Sequence, residues 1–152
     1  LEEHKADVSS LRSFFTGGDV VPLDTQDRFR ALVGWDVSEL CGMTETITYA
    51  TNSPFGEKRL GSVGRPVQDT QVKITDEHGG EMPTGETGEI MIRSPANMIG
   101  YWNDTLHTAA TLRNGWLASV CLRLRMVKIL SRVMFFGWLH PSNWRWLAGA
   151  GM

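Results

Sequence analysis

"FTGGDVVPLDTQDRFRALVGWDVSELCGMTET" runs from Phe15 to Thr46, and the order of its apolar runs and breakers decides the fold class. A short apolar run ends in Gly17-Gly18. Asp19 and Pro22 then precede a segment in which Phe29, Leu32 and Val33 recur at helical spacing, and Gly34 closes it. This reads as strand, turn, helix. Val37 to Leu40 follow as a second short strand running into a Gly-Met-Thr-Glu turn. Strand, helix and strand in that order predict the edge of a βαβ-type layered unit, backed by its helix.

From Ser53 to Trp102 the texture changes to short strands between turns. "TQVKITDEHGGEMPTGETGEIMIRS" (Thr70–Ser94) alternates at Val72 and Ile74, turns through Asp76 to Gly80, breaks at Pro83 and Gly85, and alternates again at Ile90 and Ile92. Antiparallel β structure is the simplest account. "NDTLHTAATLRNG" (Asn103–Gly115) is expected to form a short helix capped by Thr105 or its neighbours. Leu106, Ala109 and Ala110 would share its face, and Asn114-Gly115 would end it. The class is α/β, or α+β taken over the whole chain. A partial αβ subdomain covers 1–54, a β-rich subdomain 55–117, and a tail 118–152.

The chain has 152 residues, 41% hydrophobic and 21% charged, a soluble globular composition with length enough for one core. Cys41 and Cys121 lie far apart, with no C-x-x-C and no nearby His pattern, which speaks against a disulfide framework or a zinc site. A reducing, cytoplasmic setting is expected, with no nucleic-acid partner. The start, "LEEHKADVSS", has no signal layout and begins with Leu, as a fragment would.

Gly42-Met43-Thr44-Glu45 holds the parts for a nucleotide phosphate and a metal: a Gly for close backbone approach, a hydroxyl donor, and a carboxylate for Mg²⁺. A polar turn after a strand accounts for four such residues equally well. What separates the two readings is the order of several stretches. "FTGGDVVP", "ELCGMTET", "LGSVGRPVQDTQVKITDEHGGEMPTGETGEIMIRSPANMIGYWND" and "TLRNGWL" follow one another at the spacing of the adenylate-forming (AMP-binding) superfamily. That superfamily holds acyl-CoA synthetases, peptide-synthetase adenylation domains and luciferases, and the resemblance covers residues 8–117.

The resemblance implies roles residue by residue. Gly17 and Gly18 match the loop that passes adenine and the acyl pocket. Cys41, Gly42, Met43 and Thr44 match the nucleotide-binding run, with Thr44 donating to a phosphate or acyl carboxylate and Glu45 coordinating Mg²⁺. The reaction implied is attack of a carboxylate on the α-phosphate of ATP with loss of pyrophosphate, so a metal and fixed donors must offset phosphoryl charge. ATP or AMP, Mg²⁺ and coenzyme A are the cofactors implied, with a small carboxylic acid as substrate. Cys41 departs from the pattern, since an aromatic that packs on adenine is common there; a small thiol filling a core gap is the expected role. Gly61, Gly64, Arg65 and Pro66 resemble a family loop near the nucleotide site, with the Gly and Pro read as turn formers; Glu86 and Glu89 are read as a solvated turn and strand edge, and Tyr101, Trp102 and Trp116 as packing area. His78 and His107 are read as surface residues.

The family's Gly-rich phosphate loop does not occur in these residues. After "GWLAS", Val120 and Cys121 stand where the family's Gly and ribose-binding Asp would be, and neither the hinge nor the Lys-bearing C-terminal domain follows. Residues 1–117 carry 10 basic and 17 acidic groups, whereas residues 118–152 carry 5 basic and none acidic. At the earlier density about five acids would be expected. Trp138, Trp144 and Trp146 also crowd into this tail. A shifted frame, a retained intron or a chimeric gene would produce such a seam. The tail is read as helical from about Ser119 to Phe136, with Arg125, Lys128 and Arg132 as a basic stripe and Arg123 opposite. Its four cations make it a poor membrane span.

The leading expectation is a fragment of an AMP-forming acyl-CoA synthetase, inactive by itself. The alternatives are a non-enzymatic module whose basic, Trp-rich tail binds a membrane surface or a protein, and an adenylation domain that loads a carrier protein.

Overall fold

The computed structural model describes residues 7–18, 21–55, 58–60, 62–119, 127–130 and 133–136. Asp19, Gly61, Val120, Cys121, Arg123, Arg125, Arg132, Trp138, Trp144 and Trp146 lie outside them.

The opening stretch folds as its pattern predicts. Strand β1 (Phe15–Thr16) leads into helix α1 (Leu23–Val33), which returns the chain to β2 (Ser38–Met43). β1 and β2 are parallel, with Phe15 opposite Ser38 and Thr16 opposite Glu39. Gly34 ends the helix at φ 82°, and its N–H donates to the Arg30 carbonyl at 2.8 Å. Phe29 fixes the helix against its flanks, with ring centroids 5.5 Å from Phe14 and 5.1 Å, edge-on, from Trp35. The apolar stripe differs from the expected one. Leu32 is exposed, whereas Gln26 is buried and donates through Nε2 to the Val21 carbonyl. Gln26, Phe29 and Val33, spaced i, i+3, i+7, form the inward line, and Leu32 falls off it.

β2 runs to Met43, past the expected end at Leu40, because it pairs antiparallel with β3 (Ile47–Thr51) beyond a bulge between Cys41 and Gly42. β4 (Arg65–Pro66) pairs with β3 and completes a four-stranded sheet in the order β1-β2-β3-β4.

The second sheet is built on β5 (Gln71–Thr75) and β6 (Thr87–Arg93), antiparallel as expected. Val72 faces Ile92 and Ile74 faces Ile90, so the alternation of both strands points one apolar face inward. Helix α2 (Thr105–Thr111) is present, capped by the Asp104 side chain, which accepts from His107 N–H at 3.0 Å. Two expectations about it are corrected. Leu106 is 83% exposed and Ala109 and Ala110 are exposed, while Thr111 is the buried residue. Asn114-Gly115 does not end the helix: both residues have positive φ, 53° and 77°, and turn β7 (Leu112–Arg113) into β8 (Trp116–Ala118). Two successive left-handed residues match the twist of a tight hairpin. β8 pairs with β6, Leu117 opposite Ile92.

The helix expected from about Ser119 to Phe136 is also corrected where the tail is described. β9 (Val127–Leu130) and β10 (Val133–Phe136) are antiparallel strands, and β9 adds to β6 through Val127 opposite Gly88 and Lys128 opposite Thr87. β-branched and aromatic residues fit a sheet there, and the end of β6 not taken by β8 offers free backbone groups. Among the described residues no helix is long and apolar enough to cross a membrane.

One core joins the two sheets. Tyr49 and Ala50 of β3 cluster with Ile74, Ile90, Ile92 and Leu117 of the second sheet, with Cys41, Met43 and Val63 packed against them. Full burial of each large apolar side chain is worth about 1.5–3 kcal/mol. This core fixes the β2–β3 hairpin from below.

Candidate functional site

Because β1 and β2 are parallel, the chain leaves both in the same direction, at Gly17-Gly18 and at Thr44-Glu45. Gly17 lies against Leu40: a Cβ there would sit 2.5 Å from Leu40 Cδ1 and 2.8 Å from its carbonyl oxygen. From that contact β2 runs three residues to its end at Met43, about 10 Å along the strand, and Thr44 follows. Glycine thus stands at one end of this stretch, and a hydroxyl with a carboxylate at the other.

The turn itself is tight. Thr46 N–H donates to the Met43 carbonyl at 3.1 Å, and Ile47 takes a left-handed φ of 54°, costly for a β-branched residue. Its carbonyl leans over Gly42, where an added Cβ would be 2.3 Å from the Ile47 oxygen. Gly42 is thus required by backbone approach, a reason distinct from ligand binding.

Residues 97–101 hold the turn from behind. Met98 N–H donates to the Glu45 carbonyl at 2.7 Å. Thr46, fully buried, donates through Oγ1 to Asn97 Oδ1 at 2.7 Å, and Asn97 Nδ2 donates to the Ile92 carbonyl at 3.0 Å. The Tyr101 hydroxyl donates to Glu45 Oε1 at 2.9 Å. Burial raises the Tyr101 phenol above its ordinary pKa, and the Glu45 carboxylate, as acceptor and as charge, adds to the rise.

Thr44 is exposed, and its hydroxyl has no partner among the described residues. Glu45 is half-buried with its Oε2 left without a hydrogen bond among them. No group of three or more His, Cys, Asp or Glu gathers around it among the described residues. A lone carboxylate suits Mg²⁺, which is bound through one or two carboxylates together with substrate phosphates and water, and does not suit a zinc or calcium cage. Glu45 therefore fits the metal that the sequence pattern implies.

Cys41 donates its thiol to the Tyr49 hydroxyl at 3.1 Å and packs on the core, the gap-filling position expected of it. Tyr49 is only 2% exposed and does not offer adenine the missing aromatic face. Glu39, 6% exposed, accepts weakly from Val21 N–H through Oε1 while Oε2 is buried without a partner, and burial raises its carboxyl pKa. Glu86 and Glu89 are exposed, as are His78 and His107, although His107 Nδ1 contacts Asp104 Oδ2 at 2.6 Å. Trp102 is 92% exposed rather than packed. Trp116 carries Lys73 4.5 Å and Arg93 4.7 Å from its ring. A cavity of about 260 Å³ beside Trp116, lined by Lys73, Asp76, Glu89 and Arg113, includes none of the candidate site residues.

The profile of the AMP-binding enzymes matches residues 1–102. The chain belongs to the AMP-binding enzyme family. It is 37% identical over 114 residues to the long-chain-fatty-acid–CoA ligase of Bacillus subtilis (strain 168), 73% of this chain and 20% of that protein. It is 33% identical over 110 residues to the benzoate–CoA ligase of Thauera aromatica, 72% of this chain and 21% of that one. Among solved structures, the anthranilate CoA ligase AuaEII in complex with anthranoyl-AMP superposes with TM-score 0.77 at 26% identity, over 86% of this chain and 25% of that one. The amide bond synthetase McbA from Marinactinospora thermotolerans gives 0.78 at 31%, over 87% and 27%. The chain thus spans about a fifth of the curated AMP-binding relatives it matches.

The roles of Asn97, Met98 and Tyr101 in holding the Thr44-Glu45 turn were not read from the sequence, where this stretch counted toward the resemblance and Tyr101 was read as packing area. The three residues lie more than 50 residues beyond Glu45, and "ANMIGYW" carries no spacing signal beyond a Gly that permits a bend.

Proposed function

We propose that these residues form the nucleotide-facing part of an AMP-forming acyl-CoA synthetase, which joins a carboxylic acid to AMP with release of pyrophosphate and then passes the acyl group to coenzyme A. The observation that carries this reading is the Thr44-Glu45 turn, where a hydroxyl without a partner among the described residues stands beside a carboxylate with one oxygen held and the other free among them. Thr44 donates to a phosphate or acyl carboxylate oxygen. Glu45 would hold Mg²⁺, which when bound would offset charge on the phosphoryl oxygens. Gly17 and Gly18 allow the adenine and acyl group to pass close to the backbone, and Gly42 and Met43 carry β2 along the nucleotide. A fatty or similar hydrophobic acid is the substrate class favoured, in keeping with relatives named long-chain-fatty-acid–CoA ligases.

The 152-residue polypeptide itself is proposed to bind nucleotide weakly and not to turn over. It contains no Gly-rich phosphate loop, and Val120 and Cys121 stand at the position of the ribose-binding step. Two measurements on the purified chain test this. Mn²⁺·ATP binding followed by equilibrium dialysis of the nucleotide should weaken in Glu45→Gln, and equal binding by the two proteins would overturn the site. Pyrophosphate release with ATP, Mg²⁺, coenzyme A and a panel of carboxylic acids should stay at background, and ATP-dependent release would overturn the inactivity.

A further inference from the structure

We infer that Tyr101 is a positioning residue for Glu45 and sets how tightly the turn holds a divalent cation together with a nucleotide phosphate. The inference rests on the assignment of Glu45 to the metal.

The geometry is specific. The phenol donates to Glu45 Oε1 at 2.9 Å across a separation of 56 residues. A neutral donor fixes the carboxylate without cancelling its charge, whereas a Lys or Arg in its place would compete with the cation for it. Thr111, at the end of α2, is the helix's buried residue. The Tyr101 backbone is clamped as well: its N–H donates to Thr108 Oγ1 at 2.8 Å, and Thr108 Oγ1 donates to the Asp104 carbonyl at 2.7 Å. Asp104 both caps α2 and forms an isolated bridge with Tyr101. α2 therefore aims the phenol, and the phenol aims the carboxylate, while Met98 pins the Glu45 backbone at 2.7 Å. Outer partners that orient a metal ligand change metal affinity by about 10–100-fold when removed, because the ligand must then be ordered at the moment of binding.

The test is a double-mutant cycle on the full 152-residue chain, comparing wild type, Tyr101→Phe, Glu45→Gln and the double variant, each checked for folding by its melting transition. The probe is ATP bound at equilibrium dialysis in the presence of Mn²⁺, with ATP in EDTA, read the same way, as the metal-free control. Tyr101→Phe should weaken Mn²⁺·ATP about tenfold, leave metal-free ATP binding unchanged, and add nothing in the Glu45→Gln background. An equal loss in both backgrounds, or an equal loss with and without metal, would mark Tyr101 as merely structural and overturn the inference. Thr108→Val, which keeps the ring and removes the hydroxyl that accepts from the Tyr101 backbone N–H, should give a smaller loss of the same kind; no loss would overturn the relay even if Tyr101→Phe failed to fold. If wild type and Glu45→Gln bind Mn²⁺·ATP alike, the assignment of Glu45 falls, and the inference falls with it by a result distinct from the cycle.

Discussion

Gly42→Ala is the sharpest steric prediction that the turn allows. The added methyl would be centred 2.3 Å from the Ile47 carbonyl oxygen, 2.8 Å from its carbon and 3.0 Å from Thr48 Cα. Carbon contacts settle near 3.5–4.0 Å, so the oxygen must retreat by about 1 Å. All three atoms are backbone, and Ile47 already holds φ at 54°, so no side chain can swing away. Overpacking of this kind costs about 1–3 kcal/mol, and the upper end applies where backbone must move. Gly42 is not in the left-handed region, so Ala also restricts the unfolded chain and returns about 0.4–1 kcal/mol. The net loss is about 2 kcal/mol, and with a urea slope of about 2 kcal/mol per molar the midpoint should fall by about 1 M. Gly34→Ala is the control: nothing lies within 4 Å of its Cβ, but φ is 82°, so its cost is conformational and Gly34→Asn should recover most of it. A Gly42→Ala midpoint within about 0.2 M of wild type would refute the claim that the Ile47 carbonyl is fixed.

Glu39→Gln should stabilise the chain at neutral pH. Burial raises the folded-state pKa of Glu39, so its favourable contribution is complete below the unfolded carboxylate pKa and is lost as pH rises through the folded value; thermal melts from pH 4 to 8 should show the two proteins converging at the acid end. Asp104→Ala should lower the melting temperature and fray α2, read as faster amide exchange at His107 and Thr108. The Asp104 pKa is lowered, first by the His107 backbone N–H and then by its side chain, so the cap should weaken as pH falls through that lowered value. Ile92→Ala, at a fully buried position between Val72 and Leu117, should cost about 2–5 kcal/mol by chemical denaturation. A chain ending at Ser119 should sediment with anionic liposomes no differently from the full chain, since the described part of the tail is a sheet hairpin and not the interfacial helix that such binding would use.

The elements legible in sequence were those written as local periodicity. β1, α1 and β2 followed from apolar spacing and from Gly34, and the β5–β6 pair from alternation at Val72, Ile74, Ile90 and Ile92. The readings that changed turned on context. Asn114-Gly115 carries the same local signal as a helix stop and as a hairpin turn, and only the partner strand β8 decides between them. Leu106 is apolar yet faces solvent, while Thr108 on the inward side of α2 accepts from the Tyr101 backbone. At the site, Thr44 and Glu45 were visible as an ordered motif. The clamp on them was not, because hydrogen bonds between residues 45–46 and 97–101 leave no period in the sequence.

The shared core carries a consequence for how a ligand would be felt. Tyr49 and Ala50 sit on the same hairpin as Glu45, and they are buried among Ile74, Ile90, Ile92 and Leu117. Anything that binds the turn in the folded state alone lowers the free energy of that state, by about 2.7 kcal/mol at a concentration 100 times its dissociation constant. The hairpin transmits this to strands that never touch the ligand. A nucleotide held at Thr44 and Glu45 would therefore slow amide exchange at Ile90 and Ile92, making the β-rich half a remote gauge of occupancy at the turn.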